Sequence, residues 1–194
     1  MAYSVPLILY VIIQFAAFLL VLAGTPSGMF RSGSPSFPGP FGCITLWGLK
    51  LTCASVDYNV TIHFFFRNCR NRLNLFRAAQ GLAIVTIFVY GAAFILGLIL
   101  LYGCSFLRWV CLALNIVGIA TLCVVWAALA VMYNKTDDPQ CSTVREMGYR
   151  FGAGFVLFLV SWILDIINTF MLLLPCTVPA TKAPEKVESP TAEE

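Results

Sequence analysis

Charge is scarce in this sequence: 11% of its 194 residues are Asp, Glu, Lys or Arg, and only one, His63, is a histidine. A single imidazole excludes metal centres built from several histidines, H-E-x-x-H included. The chain also has no Walker loop, no G-x-G-x-x-G dinucleotide fingerprint and no G-x-S-x-G nucleophile elbow, and its cysteine spacing does not fit a zinc ribbon. No catalytic residue, metal ligand or cofactor is therefore expected. The 12 basic residues are scattered over loops without forming a stripe, so no nucleic-acid partner is expected either. What fills the chain instead is apolar. At 60% hydrophobic residues and a mean hydropathy of +0.87, its solvent is the lipid bilayer.

Four apolar runs are long enough to cross a hydrocarbon core of ~30 Å as helices. They predict an all-α membrane fold, a four-transmembrane-helix bundle, with a first span over 1–24, a second over 78–102, a third over 109–132 and a fourth over 152–175. The first reads as an uncleaved span, because Met1 to Ser4 lack the positive charge of a signal peptide. A large loop fills 25–77, a short turn 103–108 forces the second and third spans into a hairpin, and a second loop fills 133–151. The tail 176–194 is rich in Pro, Thr and Glu and reads as disordered. Within the large loop, Pro26 to Pro40 is too rich in proline and glycine for regular structure. Val60, Ile62, Phe64 and Phe66 alternate with Thr61, His63 and Phe65, which predicts a strand with partners in the Cys43 to Leu51 stretch and leaves His63 as a surface residue.

The eight cysteines form two populations. Cys43, Cys53, Cys69 and Cys141 fall in loops and are disulfide candidates in an oxidising compartment. Cys104, Cys111, Cys123 and Cys176 lie in or beside apolar runs and read as small hydrophobes, Cys176 also as an acylation candidate at the membrane edge. The same two loops carry the glycosylation sequons at Asn59 and Asn134, the latter close to the end of the third span. Sidedness rules collide here. Nine basic residues in these loops, against Arg108, Lys182 and Lys186 elsewhere, argue for a cytoplasmic location. The cysteines and sequons argue for an exterior one, and long loops are weakly governed by charge.

Inside the spans, Asp165 is the costly residue, since a charge at mid-membrane costs at least ~2.5 to 3.5 kcal/mol on insertion scales. Ser161, Asp165, Asn168 and Thr169 share one helical face, which should turn into the bundle. By depth, Gln14, Tyr90 and Thr121 lie level with Asp165, and Asn115 with Asn168, which predicts an inter-helix hydrogen-bond cluster. The functional alternative is a small proton or ion transporter, or a channel subunit, relaying through Asp165. Gly148 with Gly152, and Ala93 with Gly97, are small-residue pairs suited to helix packing within one chain or between copies.

The eleven residues C-I-T-L-W-G-L-K-L-T-C, Cys43 to Cys53, resemble the signature of the amastins, tetraspan surface glycoproteins of kinetoplastid parasites. Cys43, Ile44, Thr45, Leu46, Trp47, Gly48, Lys50, Thr52 and Cys53 all fit the pattern, and the hydropathy profile extends the similarity along the chain. The resemblance implies surface display, glycosylation and abundance in the intracellular stage of the parasite. It points to a non-enzymatic plasma-membrane glycoprotein, both termini cytoplasmic, whose extracellular loop mediates host–parasite or membrane contact. Its partners would be the lipid bilayer, a host membrane or protein, or further copies in a homo-oligomer. A more distant resemblance to claudins rests on Trp47-Gly48-Leu49, Cys53, Cys69 and Arg77-Ala78-Ala79. Lys50 departs from it, as does the long gap between Cys53 and Cys69, so tight-junction strand formation does not carry over. This second resemblance favours Cys53 paired with Cys69, leaving Cys43 for Cys141, over a short Cys43–Cys53 loop. Trp47 would seat the loop on the interface or fill its small core, and Gly48 would allow a turn or a close backbone approach.

Overall fold

The computed structural model describes residues 5–33, 42–102, 106–136 and 141–173. Residues 34–40 of the proline-rich stretch, part of the 103–108 turn, Cys104, Cys176 and the 176–194 tail lie outside these residues. Four helices are long and apolar enough to cross a membrane: α1 (Val5–Gly24), α3 (Arg70–Leu100), α4 (Leu107–Asn134) and α5 (Ala153–Leu173). A five-stranded antiparallel sheet closes one end of the bundle. Its strands are β1 (Gly28–Ser32), β2 (Cys43–Thr45), β3 (Gly48–Lys50), β4 (Val60–Thr61) and β5 (Tyr149–Phe151), in the order β4-β3-β2-β1-β5. A single helical turn, α2 (Ile62–Phe65), follows β4.

Each long helix buries one narrow stripe. On α3 it runs Phe76, Ala79, Ala83, Thr86, Tyr90, Ala93, Gly97 and Leu100, and on α4 Cys111, Asn115, Gly118, Leu122, Val125, Leu129 and Met132. The steps alternate between four and three, the 3.5-residue repeat of helices packed in a left-handed bundle. The remaining faces stay apolar and exposed, as lipid requires. Helix α1 packs on α3 and α5, and α4 packs on the same two. Gly97 lets α1 come close, because a Cβ there would stand 2.9 Å from Tyr10 Cε1.

Four expectations are corrected. The stretch from Pro26 is not irregular throughout: Gly28–Ser32, which holds no proline, forms β1 and pairs with both β2 and β5. The second apolar run begins its helix at Arg70 rather than Ala78. At 31 residues α3 is about 46 Å long, so its first turns stand beyond the hydrocarbon and carry the sheet. The predicted strand from Val60 to Phe66 stops after Thr61, because Ile62 and Phe66 also match the i, i+4 spacing of a helix. Both are buried there at 3%, and the Phe66 ring lies 5.3 Å from Phe76. Finally, Gly148 and Gly152 form no helix-packing motif. Gly148 occupies a turn at φ +80°, and a Cβ on Gly152 would run into the Gly28 carbonyl of β1.

One hydrophobic core joins the two parts of the molecule. Phe30, Ile44 and Leu49 from the strands and Leu46 from the β2–β3 turn pack in the same cluster as Phe76, Leu129 and Phe158 from the helices. A smaller cluster around Tyr10, Leu100 and Leu172 closes the opposite end, where Arg108 donates from Nε to the Leu172 carbonyl at 2.8 Å and satisfies a carbonyl of the last turn of α5.

Candidate functional site

The signature segment is a tight hairpin. Strands β2 and β3 pair Cys43 with Lys50 and Ile44 with Leu49, leaving Leu46 and Trp47 at the turn. Thr45 organises that turn with one hydroxyl. It accepts from the Gly48 N–H at 3.0 Å and the Trp47 N–H at 3.2 Å, and donates to the Gly48 carbonyl at 2.7 Å. Gly48 needs no unusual backbone angle; a Cβ there would stand 2.8 Å from the Val60 carbonyl, so it is β4 that requires the glycine. Lys50 is buried at 7%, with its ammonium 4.8 Å from the centre of the Tyr58 ring, a cation–π contact. Trp47 is half-buried against the core, and Gln80 on α3 donates to the Leu46 carbonyl at 2.5 Å, tying the turn to the bundle.

Disulfides pair Cys43 with Cys53 and Cys69 with Cys141. The pairing suggested by the claudin resemblance is thus overturned. The hairpin returns the chain to its own start, which leaves Cys53 beside Cys43, while Cys69 caps the N-terminus of α3 next to the second loop. Arg72 reinforces that second junction. Its guanidinium, 1% exposed, donates to the Ser142 carbonyl at 2.6 Å and the Cys141 carbonyl at 3.4 Å, and stands 5.4 Å from the Phe66 ring centre. Sequence reading placed Arg72 among the loop charges; continuing the α3 stripe back from Phe76 would have found it. Next to this junction Thr143 and Glu146 form a reciprocal cap, N–H to carboxylate at 2.8 Å and N–H to hydroxyl at 3.0 Å. Burial also raises the Tyr149 phenol above its ordinary pKa.

The two sequons differ in their setting. Asn59 is exposed, and its Oδ1 accepts from the Leu51 N–H at 3.1 Å, leaving Nδ2 outside the bond. Asn134 closes α4, and its Nδ2 donates to the Ala130 carbonyl at 3.0 Å.

The polar residues of the spans meet inside the bundle, in a different arrangement from that predicted. Gln14 bonds Asn168, with Nδ2 to Oε1 at 2.6 Å, rather than lying level with Asp165. Thr121 bonds Thr86 at 3.0 Å and its own helix carbonyls, apart from the carboxylate. Ser161 donates to the Ala17 carbonyl at 2.9 Å, and Trp162 to the Ile119 carbonyl at 3.2 Å. Asp165 is fully buried between Tyr90 and Gly118; a Cβ on Gly118 would lie 3.0 Å from Asp165 Oδ2 and 2.7 Å from Tyr90 Cε2. Asp165 and the Tyr90 hydroxyl are electrostatic neighbours. Neither carboxylate oxygen, nor the hydroxyls of Tyr90 and Tyr10, nor the amide of Asn115, lies within hydrogen-bond geometry of a protein partner. Tyr10 and Thr86 were missed by the sequence reading, because it counted depth along each span and these two were not matched to the level of Asp165 or Asn168. Among the described residues no group of three His, Cys, Asp or Glu side chains could hold a metal ion.

Four apolar helices, a small antiparallel sheet and two disulfides at one end define a multi-pass membrane protein of the tetraspan class. A family model described as Amastin surface glycoprotein matches residues 15–172, and the chain belongs to that family. No curated protein matches it.

Proposed function

We propose that this chain is a non-enzymatic glycoprotein of the plasma membrane, with both termini cytoplasmic and the sheet outside. There the disulfide-bonded loops contact a host membrane, a host protein or a neighbouring copy. The observation that carries this reading is the placement of both disulfides at the sheet end of the bundle, since disulfides persist in oxidising compartments and are rare in the cytosol. The family's description as surface glycoproteins supports it. The nine arginines and lysines at the sheet end argue the other way, three of them on the extension of α3, but the positive-inside count has least weight over a long connecting segment. In whole cells an impermeant protease should cleave the chain between α1 and α3 without permeabilisation, and cells expressing Cys43→Ser with Cys53→Ser should lose contact activity while the spans still insert. Protection in intact cells, followed by digestion after permeabilisation, sinks the proposal.

A second reading is favoured by Asp165 alone: a buried mid-span carboxylate with unpartnered oxygens has tyrosines of two other helices, Tyr90 of α3 and Tyr10 of α1, for neighbours. It makes the protein a small proton or ion transporter or a channel subunit. Reconstituted vesicles would then show pH or ion flux that Asp165→Asn abolishes and that loop disulfide variants leave intact.

A further inference from the structure

Arg31 and Arg150 stand directly opposite each other across the β1–β5 ladder. Like charges in that position destabilise a sheet, and among the described residues no carboxylate lines the cavity they share. That cavity, about 610 Å³, is bounded by the two arginines, the hydroxyl-bearing Ser32 and Thr52, and exposed Leu51 and Phe151. Gly33 and Gly42 also line it. A Cβ on Gly33 would stand 3.0 Å from Arg150 Nε and 3.2 Å from its Cγ, so the Arg150 side chain lies where only glycine leaves room. Alternation along β1 sends Phe30 into the core and Arg31 to the opposite, solvent face of the sheet.

We propose that this face is a binding site for an acidic saccharide carrying sulfate or carboxylate groups. Two guanidinium forks present planar donors matched to an oxyanion, and an anion between them would relieve their mutual repulsion. The volume is that of a small-molecule site, roughly 300–1,000 Å³, rather than of one bare ion. The Thr52 hydroxyl can bond ring hydroxyls, and exposed Leu51 offers apolar surface that a sugar face takes. The inference deepens the contact function proposed above and rests on that reading for its biological setting, though binding itself can be measured without it.

The test uses the full chain, disulfides intact, in phosphatidylcholine nanodiscs, with a heparin-type sulfated hexasaccharide as the probe. The sulfated sugar should bind and neutral maltohexaose should not. Arg31→Ala and Arg150→Ala should each weaken binding by about tenfold or more, and Arg145→Ala, outside the cavity, should leave it unchanged. Arg150→Glu should abolish binding while keeping the fold, because it places opposite charges across the ladder. Equal losses in Arg145→Ala would mean a diffuse basic surface and overturn the site. So would inorganic sulfate binding as tightly as the hexasaccharide, or vesicles of phosphatidylserine binding with the same arginine dependence while the sugar does not. If the sugar binds as expected but the sheet proves cytoplasmic by protease mapping, the contact function falls and the site stands.

Discussion

At Thr45 one hydroxyl makes three hydrogen bonds, and no other residue of its size could close the Leu46-Trp47 turn in the same way. Thr45→Val keeps the shape but strands the Gly48 carbonyl in a buried strand. It should cost the loop domain about 1 to 3 kcal/mol, read as a lower denaturation midpoint of a loop-specific probe such as amide exchange at Gly48 and Leu49. The two asparagines make a second test. Asn59 is exposed on a loop and Asn134 is bonded into the last turn of a spanning helix. Asn59→Gln should therefore abolish the mobility shift on glycosidase treatment, and Asn134→Gln should leave it. Asp165 is the third. If its role is to hold the bundle together, Asp165→Leu should lower surface level more than Asp165→Asn, which keeps a polar side chain of the same size beside Tyr90. Identical surface levels for both variants and the parent chain would remove the structural role.

Among the elements, the β2–β3 hairpin and the N-terminal extension of α3 depend on different bridges. The Cys43–Cys53 bond closes ten residues along the chain and the Cys69–Cys141 bond closes 72. In the chain-entropy account the longer closure is worth about 4 kcal/mol and the shorter about 3, and the longer one also joins the two loops to each other. Replacing Cys69 and Cys141 by Ser should therefore loosen the whole sheet, with β5 losing amide-exchange protection along with β1. Replacing Cys43 and Cys53 should loosen the hairpin alone, since Thr45 and Gln80 still hold its turn. Equal loss of protection in β5 for the two double variants would contradict this division.

For the molecule as a whole, the position of the sheet relative to the membrane follows from the lengths of its helices. Helix α1, with 20 residues, is about 30 Å long and ends at the sheet, whereas α3 continues for about 16 Å more and lifts its first turns into the loop domain. A bundle of this kind presents one continuous core from lipid to loop. The loop domain should therefore not fold apart from the spans: the isolated 25–77 segment, oxidised, should show no cooperative unfolding transition, because its core side chains share one cluster with the helices and β1 loses its partner β5.

The four spans, their hairpin order and the special status of Cys43 to Cys53 were legible in the sequence, because a stretch of about twenty apolar residues has one stable solution in lipid and because the signature residues act on neighbours a few positions away. Hydropathy could not say which side of each helix faces inward, since the exposed faces are as apolar as the buried ones. Only the polar residues of α5 marked a stripe, and among their partners on other helices Gln14 bonds Asn168, about a turn from the level the depth count gave it. The disulfide pairing, the burial of Arg72 and the meeting of Arg31 with Arg150 were decided by tertiary structure alone. Each joins residues separated by a turn or by most of the chain, and the distance between them depends on how the strands and helices pack, which no local pattern encodes.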